Sequence, residues 1–301
     1  MTATWKLYRW VWRLEWPLFL GLPPAGNLNR CRTYLPARTM WGALVAELSR
    51  TAPNQAQFPD YPKMGHELAL SCRLTYLYPA EEANGRIHPW LPRFEDNRGL
   101  LWKRRGAEDL PDHRFRRRLL DSRMNTAVSP HSEAAEDGTL REQECINPWW
   151  RPSSPGEEPS PVFLVGYLFL KEGHFRQRLK EIQTLLVGGD TRYGLGRIQQ
   201  EDFRPAQEVF ECRVELGGDE PAIQGKRLLA HVAQEVLPEA RGALELTAGW
   251  KRRGSGEGRQ TSPVRGSLAW VPGSVAGKEH GWRIDSGKET CGYWVPLPEQ
   301  D

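Results

Sequence analysis

The stretch Trp5-Lys6-Leu7-Tyr8-Arg9-Trp10-Val11-Trp12-Arg13-Leu14-Glu15-Trp16 alternates cleanly. Tyr8, Trp10, Trp12, Leu14 and Trp16 fall on one parity, and Arg9, Arg13 and Glu15 on the other. A period of two is the mark of a half-buried strand. The loop that follows, residues 21–36, carries Arg30 and Arg32 and no acid. Thr39 is placed to cap a short helix whose apolar positions Trp41, Leu44, Val45 and Leu48 keep helical spacing. Residues 67–78 alternate again, with Leu68, Leu70, Cys72, Leu74, Tyr76 and Tyr78 on one face, so the opening reads β-α-β.

The pattern returns much later. Residues 161–170 form an apolar strand run, and Phe175, Leu179, Ile182 and Leu186 stripe a helix over residues 172–187. A glycine-rich turn follows, then a strand near residues 193–199. Two β-α-β units predict an α+β chain built on a split, ferredoxin-like sheet with helices on one face. Between them, residues 79–160 read as a large insertion without strong periodicity. Past a boundary near Arg204-Pro205, a further α+β unit is expected over residues 205–301. It comprises a strand at 208–216, a helix at 225–237 and a strand at 243–250, then short strands around 267–271, 282–284 and 293–295. Residues 251–266 and 153–161, rich in Gly, Ser or Pro, read as loops.

Charge is informative only when divided by segment. The 301 residues hold 41 Lys+Arg and 38 Asp+Glu, a net +3, which excludes a polybasic tail and an acidic solvating protein alike. Residues 1–50 nevertheless carry a local +5, residues 100–123 a local +4, and residues 131–161 a local −5. Binding phosphate needs a positive patch rather than a positive protein. Arginine supplies 32 of the 41 basic residues, and there are 13 Trp. Guanidinium groups stack on flat rings and grip phosphate with a planar fork, although codon bias produces the same skew. In Arg114-x-Arg116-Arg117-Arg118 the clustered charges need an anion or an acidic partner, which the acidic stretch of the same chain could supply. Met1–Lys6 shows no basic region leading into an apolar run, and no stretch has the length of a membrane span. Five cysteines, none in a Cys-x-x-Cys, support neither a zinc ribbon nor a disulfide framework. A reduced, cytoplasmic protein without metal, cofactor or membrane contact is expected.

The sharpest motif is Gly188-Gly189-Asp190-Thr191-Arg192-Tyr193-Gly194-Leu195-Gly196-Arg197. A dinucleotide fingerprint follows a strand and opens a helix, whereas these glycines follow a helix and lead into a strand. No Gly-Lys-Ser/Thr is present, which excludes a P-loop. What remains is a loop of exposed backbone N–H groups flanked by Arg192, Arg197 and the ring of Tyr193, able to hold a sugar-phosphate backbone and stack one base. A purely architectural reading stays open, with Gly188 ending the helix and Gly194 and Gly196 easing a tight turn.

Together these residues resemble the CRISPR RAMP superfamily. Tyr34-Leu35-Pro36-Ala37-Arg38-Thr39-Met40-Trp41-Gly42-Ala43-Leu44 is similar to that superfamily's entry into the first helix, with Pro-Ala-Arg in place of the usual Pro-Gly-Ser. Residues 188–197 resemble its Gly-rich loop, and residues 122–146 the hairpin segment carried between the two motifs. Trp270-Val271-Pro272-Gly273-Ser274 and Gly292-Tyr293-Trp294 look like the C-terminal domain of a type III-D version. The resemblance implies two ferredoxin-like (RRM-like) βαββαβ halves, residues 1–204 with the insertion and residues 205–301. It implies a type III effector subunit that caps the 5′ handle of the crRNA. The implied protein partners are the large polymerase/cyclase-like subunit and the RAMP backbone subunits. RNA contacts are expected from Arg30, Arg32, Arg38, Thr39, Gly188, Gly189, Thr191, Arg192, Tyr193, Gly194, Gly196 and Arg197, and from Arg116, Arg117 and Arg118.

Catalysis is not expected. Endoribonucleases of the superfamily commonly use a His near the first helix, but His66, His88, His113, His131, His174, His231 and His280 all lie outside residues 26–49. Asp60, Asp96, Asp109 and Asp112 read as solvated loop residues, and Asp190 as a partner of neighbouring backbone N–H groups. Two other readings stay open: an endoribonuclease that processes crRNA or cuts target RNA, and an interaction module whose Trp149-Trp150 and N-terminal Trp face contact proteins. Trp10, Trp12 and Trp16 are expected first of all in the core.

Overall fold

The computed structural model describes residues 4–51, 59–171, 173, 175–253, 260–287 and 290–298. At its centre the strand Trp5–Leu14 pairs antiparallel with Phe163–Lys171 on one side and Arg197–Pro205 on the other. Phe163–Lys171 continues the sheet to Cys72–Leu74 and Tyr78–Ala83. The helices Ala37–Arg50 and Tyr61–Ser71 lie between the first and second strands in sequence, and Phe175–Glu181 between the third and fourth. This gives the split βαββαβ order, fourth-first-third-second, expected of residues 1–204. The first strand is more buried than its alternation suggests. Leu7 and Val11 are covered along with Tyr8, Trp10, Trp12 and Leu14, because the sheet is packed on both faces. Trp16, beyond the strand, is exposed rather than core.

The local differences have physical causes. Helix Ala37–Arg50 begins two residues before Thr39, with Pro36 at the N-cap position, so Thr39 is not its cap. The fixed φ of proline suits a helix entry. Residues 67–71, expected to open a strand, instead end the helix Tyr61–Ser71: Asp60 accepts a hydrogen bond from the Lys63 backbone N–H, and Pro62 occupies the first turn. Met64 and Leu68, four apart, are buried, while Leu70 is exposed. This helix lies close on its neighbour, since a Cβ at Gly65 would sit 2.9 Å from the Trp41 ring. The helix expected over 172–187 ends at Glu181, and Thr184–Leu186 pairs with Arg197–Pro205 instead; residues 172 and 174 lie outside the described residues.

The insertion is ordered around an aromatic cluster that is continuous with the main core. Leu91–Glu95, Gly99–Lys103 and Leu110–Pro111 form a small sheet, helix Asp112–Leu119 follows, and Leu120–Asn125 pairs with Arg141–Ile146. Phe115 sits in the middle, stacked on Trp102 at 4.0 Å and within 5.9 Å of Trp90 and 5.6 Å of Trp150. Trp149 and Trp150 therefore separate: Trp150 is 1% exposed and Trp149 52%.

The α+β class holds for the chain, but the helix expected at 225–237 is absent. Ala222–Arg227 pairs with Val275–Ile284, Val232–Ala233 pairs with Gln260–Trp270, and only a 3-10 turn covers Gln234–Val236. Leu228, Leu229, Ala230 and Val232 are all buried, an uninterrupted run that a one-sided surface helix would not bury. Residues 205–298 thus carry no α-helix among the described residues, and the second βαββαβ order is replaced by two antiparallel sheets. The strand expected at 208–216 is a hairpin, Glu208–Val209 with Cys212–Glu215. Much of the loop expected at 251–266 belongs to the strands Leu244–Arg253 and Gln260–Trp270; residues 254–259 lie outside the described residues. No helix among the described residues is long and apolar enough to cross a membrane.

Truncating Phe115 to Ala should lower stability by about 3–5 kcal/mol in urea unfolding; a loss below about 1 kcal/mol would contradict its place in the insertion's aromatic cluster.

Candidate nucleic-acid interface

Three of the four glycines in the loop are fixed by close backbone approach. Gly188 has φ 82°, and a Cβ there would overlap the Phe19 carbonyl oxygen. The Gly189 N–H donates to that same oxygen at 2.9 Å, and the Gly196 N–H donates to the Pro17 carbonyl at 2.7 Å. Gly196 also accepts from the Val187 N–H at 2.8 Å, and a side chain there would strike the Val187 carbonyl. Gly194 faces open space and needs only its φ of 76°. The loop is thereby pinned to residues 17–19. Asp190 adopts a left-handed backbone and accepts from the Gln143 side chain at 2.8 Å, rather than from neighbouring N–H groups. A 3-10 turn, Thr191–Tyr193, then carries Arg192 and Tyr193 outward, leaving Tyr193 73% exposed.

Beside this loop lies a cleft of about 780 Å³. Its walls are Phe19, Arg32, Pro36, Arg38, Thr39, Gly188 and Gly189 from the first half, and His231, Thr247, Thr290 and Tyr293 from the second. The N-terminus of helix Ala37–Arg50 opens here with no acid in its first turn. Such an end presents unpaired N–H groups and a partial positive charge, which favours an anion. Gly292 (φ 85°) lies directly on Ala37, within 3.1 Å of the Tyr76 ring for an added Cβ. That contact seats the C-terminal segment, and with it Tyr293, at the helix entry.

A buried network closes the cleft floor. His231 is 2% exposed. Its Nδ1 lies 2.7 Å from the Tyr76 hydroxyl, and its Nε2 lies 3.2 Å from Glu245 and 3.4 Å from the Tyr34 hydroxyl. Glu245 in turn pairs with Arg32, whose other nitrogen donates to the Gly21 carbonyl at 3.2 Å. Burial lowers the His231 pKa, against the opposing pull of Glu245. The neutral tautomer that satisfies both contacts carries its proton on Nε2 and accepts from Tyr76 at Nδ1. Both ring nitrogens are therefore occupied, and the ring acts as a brace. Burial pushes the Cys31 and Cys291 thiols up to about 12, so neither is a nucleophile at neutral pH.

The structure sorts the remaining candidates. Arg32, Arg38, Thr39, Gly188 and Gly189 share the cleft. Thr191, Arg192, Tyr193, Gly194 and Gly196 extend from it along the loop, and Tyr193 also borders a cavity of about 630 Å³ with Arg123 and Arg141 of the 120–146 hairpin. Arg30 is exposed nearby in sequence. Arg197 lies over Trp16 at 5.3 Å and pairs with Glu15 at 2.6 Å. Arg116 pairs with Glu144 at 3.4 Å, so the acidic stretch does offset part of the cluster. Arg118 is held by Glu81 at 2.7 Å and lies over Trp150, while Arg117 is exposed. None of Arg116, Arg117 and Arg118 lines the cleft. Tyr293, Thr247, Arg123 and Arg141 were not among the RNA contacts expected from the sequence, and His231 was read as a lone histidine.

The lowered His231 pKa makes the folded chain resist a proton that the unfolded chain accepts below about pH 6.5. The stability that the neutral ring contributes is complete above that pH and is lost as pH falls through it. Tm should therefore drop between about pH 7.5 and about pH 5.5, and drop less in His231→Gln; equal drops would show that the brace does not carry the effect.

No family model matches the sequence, and no curated protein matches it. Among solved structures, a chain of the Type III-B Cmr-beta complex bound to cognate target RNA and AMPPnP overlays with a TM-score of 0.52. The two are 11% identical, over 89% of this chain and 85% of that one. Chains from Cmr-beta bound to cognate target RNA and from its apo state overlay over 66% and 67% of this chain, with TM-scores of 0.40 and 0.39. The first overlay establishes a shared fold.

Proposed function

We propose that this chain is a non-catalytic RNA-binding subunit of a type III CRISPR-Cas effector, with its cleft gripping the 5′ handle of a crRNA. The observation that carries the reading is the convergence on one cleft of a helix N-terminus without acids, Arg38, the Gly188-Gly189 backbone and Tyr293. Phosphate contacts hold such a strand, and the exposed ring of Tyr193 offers a face for one base. The fold shared with a chain of an RNA-bound type III complex supports the assignment, as do the RAMP-like motifs at residues 34–44 and 188–197. In this reading the large polymerase/cyclase-like subunit and the RAMP backbone subunits dock on the same chain, in a cytoplasmic ribonucleoprotein of antiviral defence of type III-D-like character. The occupied ring nitrogens of His231 favour binding over cleavage, because general acid–base chemistry needs a nitrogen that reaches the substrate.

Binding of crRNA bearing its 5′ handle should weaken steeply with salt. Replacing Arg38 and Arg192 by Ala should flatten the salt slope by roughly 0.7 for each phosphate no longer neutralised and lower affinity about tenfold at physiological salt. Unchanged affinity and unchanged incorporation into the complex would sink the assignment.

A further inference from the structure

A further cavity, of about 610 Å³, is lined by Arg9 and Tyr167 of the central sheet. Tyr8 faces the Phe175–Glu181 helix, where Arg176 lies over its ring at 5.3 Å. Arg9 and its register partner Tyr167 face the opposite way and line this groove. The groove shares no lining residue with the cleft at Gly188-Gly189.

Its lining is rich in basic side chains. Eight Arg or Lys side chains line it against two carboxylates, Glu208 and Glu211. Five of the eight have carboxylate partners: Arg9 and Arg204 share Asp202, Arg93 pairs with Glu95, Lys103 with Asp109 and Arg104 with Glu81. Arg86, Arg105 and Arg227, which come from separate segments, make no ion pair among the described residues. His88 registers the resulting potential: its pKa is lowered by burial and then by Arg104, Arg105, Arg9 and Arg86 in turn. Guanidinium groups brought together this way repel one another unless an anion occupies the space between them.

The groove wall is held in a costly conformation. Phe210 and Glu211 form the tip of the Glu208–Val209 and Cys212–Glu215 hairpin with φ 49° and 69°, a left-handed geometry that is strained for non-glycine residues. The Phe210 ring holds it there, edge-on to Tyr167 at 4.8 Å and Tyr78 at 5.3 Å. A concave, arginine-lined space of this size fits a nucleotide unit, with Arg86 and Arg105 exposed at its mouth to meet phosphate.

We propose that this groove is a second site for the phosphodiester backbone of single-stranded RNA, contacted by Arg86, Arg105 and Arg227. The inference stands on the groove's own charge and shape and does not depend on what the cleft binds.

The test uses the full chain, a fluorescein-labelled ten-nucleotide oligouridylate and anisotropy titrations across salt. The triple variant Arg86→Ala, Arg105→Ala, Arg227→Ala should bind about tenfold more weakly, with a salt slope flatter by about 2, as three single-strand phosphate contacts require. Its Tm should stay near wild type, because none of the three side chains makes an ion pair among the described residues. A 4-thiouridine version of the same oligonucleotide should crosslink to peptides containing Tyr167 or residues 204–211. Wild-type affinity and slope in the triple variant would overturn the proposal, as would crosslinks confined to residues 30–39 and 188–197. If the variant keeps RNA binding but loses a polyglutamate peptide bound by wild type, the groove belongs to an acidic protein surface and the RNA proposal fails. A change in the triple variant with none in the Arg38 and Arg192 variant would support the groove and count against the cleft alone.

Discussion

Glu245 carries its charge into a setting where only 18% of its side chain meets solvent, and Arg32 and His231 make that tolerable. Burial by itself would raise the carboxyl pKa; the hydrogen bond from His231 and the charge of Arg32 outweigh it and hold the group ionised. These three residues come from a loop of the first half and from two segments of the second. Removing one would leave the others with uncompensated polarity in a water-poor site. The interaction thereby fixes where Tyr34, Tyr76 and Tyr293 stand relative to the entry of helix Ala37–Arg50. The cleft exists because the two halves are held at this seam.

The same residues show why a near-neutral chain can present local positive character. Arg32, Arg116, Arg118 and Arg197 are each matched to a carboxylate, and several also cover an aromatic ring, as Arg118 covers Trp150. Part of the arginine and tryptophan excess is thus mutual: Arg73, Arg104, Arg118 and Arg197 lie over Trp5, Trp90, Trp150 and Trp16. Other arginines line the cleft and the groove, as Arg38 and Arg105 do.

Legibility in the sequence followed the range of the contacts. The alternation of Trp5–Leu14 and the apolar run of Phe163–Lys171 were visible because strand periodicity is local. So was the glycine loop, whose close approaches to Phe19 and Val187 demand a missing Cβ. The last turn of Tyr61–Ser71 was misread because Leu68, Leu70 and Cys72 mimic alternation across a helix end. The supposed helix over 225–237 was misread because a fully buried run has no polar face to reveal its period. The insertion looked patternless because Trp90, Trp102, Phe115 and Trp150 meet at irregular spacing. The roles of His231 and Tyr293 in the cleft escaped notice for a further reason. Their partners Tyr76, Thr247 and Glu245 are joined to them by tertiary structure, which leaves no mark on neighbouring residues.

The central claim is that RNA occupies the seam between the two halves. A cryo-EM map of the chain within its native RNA-bearing assembly tests it most directly. The account predicts phosphate density between the N-terminus of helix Ala37–Arg50 and Gly188-Gly189, with a base against Tyr193. A cleft filled by a neighbouring protein, with the RNA running elsewhere, would contradict it.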